Sequence, residues 1–584
     1  MKKILYSTCL LLSGLFFWSC TNLEEELLDE TLTGNQAEVI SGAIAPAYGY
    51  VSWTWRHTNY YGLQLIPSDE AILPYRGGTD WFDGGKFLAA HAHTITPSND
   101  LVASGWNELT TNISRTLAAI EVLRPLAEEG NSQAESALYE MIALRAYLNM
   151  LMLDSWGIVF KKESSDQLSQ VLRTEVAIEY IKSELLSVVD VINKDKGPGR
   201  MTQAAVWGLL SRLHLNAAVY RDPYGTPGFT NEDMNKVIEY TDNIINSGKF
   251  SLSAEYFDLF NDDNNSNPEL IFALDQRGVL KEEHSRWAYW SIAGSMFGRP
   301  EFPSADGTDG PAITSDFYQT WVNAYGNVDP ADADARFYKK NIFIPEETLE
   351  DFNSREHLLA TETENSYFCV KPTDFEMDRG IMRGVQWGPR KDETGSFITC
   401  DDGVRIYPVK QIKGNGPDRD KGYVNHTEKI DFTNEGSLHN TGFRVSKYQF
   451  SHTSNNANNF SSVDLVLMRL AEIYLMRAEA KLRNGDVGGA LADVNFVRAS
   501  RTARPEQTPP ALTSMDLDIM FRERGFELYW EGFRRGDQIR FGKYEDTWTE
   551  KTNKDVTQRL FPIPQSAVDA ASGIDGFLEQ NRGY

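Results

Sequence analysis

Residues 106–127, WNELTTNISRTLAAIEVLRPLA, decide the fold class. Leu109, Ile113, Leu117, Ile120 and Leu123 recur at three and four residues, the spacing of one face of an amphipathic helix. Segments with the same periodicity follow at 132–157, 174–193, 202–222 and 232–250, separated by short Gly, Pro or Asn breaks. The pattern predicts five helices between about 105 and 250. Ala143, Ala146, Ala204, Ala205 and Gly208 lie where paired helices would touch, which predicts antiparallel pairs stacked like tetratricopeptide repeats. No strict repeat period is visible, so the repeats are degenerate.

The texture changes after residue 250. NDDNNSNPE (261–269), SADGTDGPA (304–312) and KGNGPDRDKG (413–422) read as loops, punctuated by short β-type runs such as ELIFALD and GVRIYPVK. A long irregular region set on a helical platform is where binding residues tend to sit. Helical periodicity returns at 463 with VDLVLMRLAEIYLMRAEAKLRNGD. The fold class is therefore mainly α, a platform of helix pairs with a large loop-rich region carrying short strands.

The chain of 584 residues has 41% hydrophobic and 24% charged residues and reads as globular. Its formal charge of -26 excludes nucleic-acid binding, which needs a basic surface. Thirteen Trp and 25 Tyr supply many large amphipathic rings, most of them expected in the core and the rest free to stack on ligands. Of the four cysteines, Cys369 and Cys400 lie outside the leader; no CxxC pair points to zinc, and a disulfide or two buried thiols both fit.

That leader, MKKILYSTCLLLSGLFFWSC, has two lysines, an apolar run and a small residue before Cys20. It reads as a signal peptide over 1–19, and its end resembles a bacterial lipobox, which would acylate Cys20. The acidic tether that follows, TNLEEELLDE, resembles the signal that sends lipoproteins of the Bacteroidetes to the outer face of the outer membrane.

Residues 521–542, FRERGFELYWEGFRRGDQIRFG, look most like an active site, because Glu523, Glu527 and Glu531 recur every four residues. Arginines three residues away, Arg524 and Arg534, would keep such carboxylates ionised, whereas a general acid needs a raised pKa. On one helix, Phe526, Trp530 and Phe533 would form an apolar stripe against the preceding helix pair, and the charges a partly buried ion-paired lattice. No GxSxG elbow or phosphate-binding loop occurs. His91 and His93 would share one face of a strand as metal ligands might, but no third ligand is evident, so no metal site is assigned. Asp306 with Asp309, and Asp329, Asp332 and Asp334, could hold a structural calcium, although surface turns fit their spacing better. No other cofactor is implied.

LMRLAEIYLMRAEAKLRNGD, ALADVNFVRASR, the 521–542 segment, LFPIPQSAVDA and the terminal GFLEQNRGY follow one another in the order and spacing of the SusD/RagB family. Upstream, SDEAILPYRGGTDWFDGGKFLAAHAHTITPSND, WNELTTNISRTLAAIE and MIALRAYLNMLMLDSWGIVF resemble that family's N-terminal half. The resemblance implies a non-catalytic outer-membrane lipoprotein that binds oligo- or polysaccharide and passes it to a SusC-like TonB-dependent β-barrel. A peptide-binding uptake lid of the RagB type and a secreted glycosidase are the alternatives. The organisation is then a signal peptide at 1–19, a lipidated tether at 20–36, a helical region at 37–250, a loop-rich ligand-binding region at 251–460 and a helical region at 461–584.

A sugar presents C–H patches on its ring faces and hydroxyls at its edge, so its site needs flat rings beside fixed donors and acceptors. PYRGGTDWFDGG (74–85) supplies Tyr75 and Trp81 as stacking surfaces, Arg76 as donor, and Asp80 and Asp83 as acceptors, with Asp69 just upstream. RWAYW adds Trp287, Tyr289 and Trp290, and VQWGPR adds Trp387.

Overall fold

The computed structural model describes residues 35–584 apart from 76–84, 196, 277–286, 289, 297, 302–306, 309, 356–365, 412–421, 431–440 and 455–460. The leader, with Cys20, lies outside the described residues, and no helix among them is long and apolar enough to cross a membrane.

The platform begins with α1 (Gln36–Gly49), which packs on the hairpin of α2 (Asp100–Glu128) and α3 (Ser132–Trp156). Asn99 and Asn131 cap the two long helices by accepting from backbone amides of the first turn, which fixes where each starts. The predicted stripe of Leu109, Ile113, Leu117, Ile120 and Leu123 is buried between them. Next come α4 (Thr174–Val188), α5 (Gln203–Arg221) and α6 (Asn231–Asn246), each packed on its predecessor. Gly208 is needed for this packing: a Cβ there would lie 2.1 Å from the Met468 sulfur.

The helical array is interrupted in sequence after α6 but not in space. α8 (Leu470–Arg483) packs directly on α6, and α9 (Val487–Ser500) and α10 (Leu517–Leu528) pack on α8. The intervening excursion leaves through the strand Leu270–Leu274 and returns through Leu465–Arg469, and these two fully buried strands pair antiparallel at its base. Within it, α7 (Ser315–Tyr325) rejoins the main core through Phe317 and Trp321.

The rest of the excursion holds small sheets. The strand Gly403–Pro408 is flanked by Phe368–Val370 and Trp387–Pro389, with Thr399–Cys400 beside its first residues. Cys369 and Cys400 form a disulfide across these strands, resolving the alternatives that spacing left open. A second, smaller core of Trp387, Val404, Ile406, Phe375 and Phe450 lies under this sheet.

Residues 521–542 depart from the single-helix expectation. α10 stops at Leu528, Trp530 takes a left-handed backbone (φ 57°), Gly532 follows at φ 81°, and α11 starts at Arg534. A left-handed tryptophan is unfavourable, and here the Trp530 amide donates to Glu70, its indole N–H donates to the Glu70 carbonyl, and its own carbonyl accepts from Tyr61. Phe526, Trp530 and Phe533 therefore diverge. Phe526 stacks on Trp321 at 3.7 Å, Trp530 enters an aromatic nest, and Phe533 lies under the Arg212 guanidinium.

Candidate functional site

The segment leading into the Gly-rich cluster is pinned residue by residue. Asp69 accepts two hydrogen bonds from Arg534 at 2.6 and 2.7 Å, and its carbonyl accepts from the Thr314 hydroxyl. Ile72 exchanges backbone hydrogen bonds with Ala312 at 2.9 and 2.8 Å. On the far side, His91 closes the helix Lys86–His91, with its Nδ1 near the Ile66 and Ala71 carbonyls and its Nε2 near the Thr549 carbonyl. His93 reaches the Pro67 carbonyl and stacks on Tyr544. These histidines are buried braces on a helix end rather than strand-borne ligands, and burial lowers both pKa values.

The residues on either side of 76–84 are thus fixed to the core. Tyr75 itself is half-buried, while Arg76, Asp80, Trp81 and Asp83 lie outside the described residues. Asp69 is a structural ion-pair partner of Arg534.

The second aromatic cluster departs from expectation. Trp287 is 8% exposed, stacks on Tyr61 at 3.8 Å and donates its indole N–H to the Trp55 carbonyl. Trp290 is 1% exposed and meets His57, Tyr61, Phe87 and Trp530. Tyr289 lies outside the described residues. Trp387, 6% exposed, packs on Phe352 and Phe368 in the small core. The burial has a simple cause: an aromatic-rich segment gains more by burying its rings against other rings than by displaying them. These three indoles form core, and Trp287 and Trp290 lie in the nest that also holds Trp530 beside the pinned segment.

Sequence reasoning did not single out Tyr50 and Trp53, half-buried rings covered by Arg115 at 3.5 Å and Arg56 at 4.6 Å. Their dense aromatic context, YGYVSWTWR, was a usable signal.

Charge chemistry concentrates elsewhere. Glu269, Asp334, Glu523, Glu527 and Glu531 face Arg336, Lys447, Arg469, Arg498 and Arg501, all of them buried, in a closed lattice. Burial alone would raise the Glu527 carboxyl, but Arg501, Arg469 and Arg336 overcome that and hold it well below the usual range. Glu523 and Glu531 are lowered in the same way, while burial pushes Lys447 down to about 8. Such carboxylates are acceptors, not proton donors. Glu70 behaves oppositely: burial pushes it up to about 8, but it is sealed beneath Trp530 and reaches no solvent. Of the acidic turns, Asp329 caps the helix Pro330–Ala333 and pairs with Arg383, and Asp334 belongs to the lattice; Asp306 and Asp309 lie outside the described residues. Among the described residues no cluster of three His, Cys, Asp or Glu side chains could hold a metal ion.

The chain is 27% identical over 476 residues to the starch-binding protein SusD of Bacteroides thetaiotaomicron, covering 78% of this chain and 74% of that one. A SusD-like protein of Bacteroides ovatus is 22% identical over 553 residues, 91% of this chain and 81% of its own. Among solved structures, a laminarin binding SusD-like protein superposes with a TM-score of 0.63 at 16% identity, covering 94% of this chain and 100% of that one. Surface glycan-binding protein A from Bacteroides thetaiotaomicron, in complex with laminarihexaose, gives 0.60 at 17% identity over 93% and 99% of the two chains. A family model described as the SusD family matches residues 220–584, which include the excursion, its paired base strands and the ion lattice, and the chain belongs to that family.

Proposed function

We propose that this protein captures oligo- or polysaccharide at the cell surface without chemically altering it, and delivers it to a SusC-like TonB-dependent transporter. In this reading Cys20 carries the lipid anchor, the acidic tether spaces the body from the outer membrane, and residues 75–83 supply the principal sugar contacts. The observation that carries it is the match of the SusD family over residues 220–584, joined to a 74–85 sequence rich in Gly, aromatic and carboxylate residues whose upstream neighbours Asp69 and Ile72 are held to the core. The relatives named for starch, laminarin and laminarihexaose point to neutral glucans as the first ligands to try. The Cys369–Cys400 disulfide supports residence outside the reducing cytoplasm.

Affinity electrophoresis and calorimetry across a polysaccharide panel test the ligand class. Binding to at least one glycan, weakened by Trp81→Ala at unchanged thermal stability, is expected. Binding only to peptides would replace this reading with a peptide-uptake lid, and release of reducing sugar would replace it with a glycosidase. Co-purification of an outer-membrane β-barrel with the native protein tests the transporter.

A further inference from the structure

A chamber of about 280 Å3 opens between the C-terminal ends of α3 and α5, the start of α4, α11 (Arg534–Arg540) and residues 559–560, and its lining includes neither Asp69 nor Tyr75. Its walls are mostly apolar, built from Leu153, Val219, Pro223, Ile539 and Leu560. Asp154, Asn216, Tyr220 and Gly536 also line a smaller polar chamber of about 80 Å3, so they mark the inner end. Arg173, Arg221 and Tyr224 line the outer chamber alone.

Gly536 keeps this space open. A Cβ there would meet nothing closer than the Asp154 Oδ1 at 3.9 Å, and the residue is not among those with a left-handed backbone. Glycine within a helix is less stable than alanine. Neither close packing nor backbone conformation therefore calls for it, and the open volume beside it does.

The charges of the lining leave one guanidinium over. Arg221 meets Glu175 and Asp233, Arg559 meets Glu545, and Asp154 meets Arg535. Arg173 is half-buried and uses two of its five N–H donors, both on neutral acceptors: the Asn581 Oδ1 at 3.0 Å and the Glu579 carbonyl at 2.8 Å. No carboxylate among the described residues forms an ion pair with it. Burial lowers its pKa, and Tyr224 and Glu579, which act the other way, do not offset that. A partly dehydrated guanidinium with donors to spare suits a carboxylate, which it can hold through two parallel hydrogen bonds. The exposed Asp222 and the inner Asp154 disfavour a doubly charged phosphate in the same space. Apolar walls suit a short aliphatic or aryl body rather than a hydroxyl-covered sugar, and the volume sits just below the ~300 Å3 lower end of small-molecule sites.

We infer that this chamber binds a small organic monocarboxylate, with its carboxylate on Arg173 and its aliphatic or aryl body among Leu153, Val219, Ile539 and Leu560. This is a ligand class distinct from glycan, and the inference does not depend on the glycan-binding reading. Because the walls come from α3 and α5 on one side and from α11 and residues 559–560 on the other, an occupant would brace the C-terminal region against the platform.

Thermal-shift measurements and saturation-transfer NMR on the full mature chain test it, with butyrate, hexanoate, benzoate and phenylacetate at millimolar concentration and the matching primary amides and amines as controls. At least one acid is expected to raise the thermal midpoint and give transfer, and its amide and amine to do neither. Arg173→Gln is expected to weaken that acid about tenfold or more, and Val219→Phe, which fills the chamber from α5, to abolish its binding. Silence of the wild type towards all four acids would overturn the site. So would an amide that binds as tightly as its acid, or an Arg173→Gln protein that melts at the wild-type midpoint and keeps wild-type affinity. Should Arg173→Gln not fold, Val219→Phe decides: loss of binding upholds the site and retention overturns it.

Discussion

The lattice around α10 and the sheet around Gly403–Pro408 both place cations among aromatic rings, yet they are held by opposite means. In the lattice each guanidinium meets carboxylates from distant parts of the chain: Arg469 donates to Glu269, Glu527 and Glu531, and Arg336 to Asp334, Glu523 and Glu527. In the sheet, Arg405 lies over Tyr367 at 4.3 Å, Arg390 over Tyr407 at 4.5 Å and Lys391 over Phe397, all three cations partly exposed, and a disulfide ties the strands. The difference follows from size. A large helical core can enclose a fully matched set of charges, whereas a small sheet cannot dehydrate them and relies on a covalent tie and ring faces. The lattice also fixes topology: Glu269 immediately precedes one base strand of the excursion and Arg469 is the last residue of the other, so the same ion pairs fasten loop region to platform.

The largest expected effect that would break this comparison is Glu527→Ala. It leaves three guanidiniums facing a vacated site and should cost about 3–5 kcal/mol of stability by denaturant titration. Glycan affinity of the folded fraction should be nearly unchanged, and Arg534→Ala should behave alike through Asp69. A selective loss of affinity in a well-folded Glu527→Ala protein would mean that the lattice serves the ligand directly.

Removing the covalent tie comes next. Cys369→Ser with Cys400→Ser should cost about 2–4 kcal/mol, with hydrogen-exchange protection lost in 368–408 and retained in α8 and α10. Uniform loss across both regions would show that the sheet is not an independent unit. Trp81→Ala should be smaller in stability and visible in binding, about tenfold in affinity.

The pH response sharpens the contrast further. Burial would raise Glu479, but Arg540 and Arg483 hold it at about 2, below its ordinary 4.5. Its contribution is therefore present above about pH 4.5 and lost as the pH falls toward 2. Glu70 runs the other way: raised from 4.5 to about 8 by burial, it stabilises fully below about pH 4.5 and loses that contribution as the pH rises through 8. Glu70→Gln should raise the thermal midpoint at pH 8.5 and leave it almost unchanged at pH 4, as scanning calorimetry at the two pH values would read.

Much of the fold was legible in linear sequence. Helix periodicity and Asn or Thr caps are local properties, so α2 to α6 appear where the apolar spacing puts them. The acid and arginine texture of 521–542 also foretold a lattice rather than an active site. Its wiring was not legible. Arg524 pairs with Asp537 and Arg534 with Asp69, not with the glutamates three residues away, because the chain breaks at Trp530 and turns those side chains to different neighbours. The same limit explains Trp287, Trp290 and Trp387: sequence reports a ring, and only packing reports whether its face is covered. The sequence by itself determined the helices, the excursion and the charge composition, since these depend on spacing within one turn or one strand. Tertiary structure alone decided which carboxylate meets which guanidinium and which aromatic faces stay open, since those contacts join residues up to hundreds of positions apart.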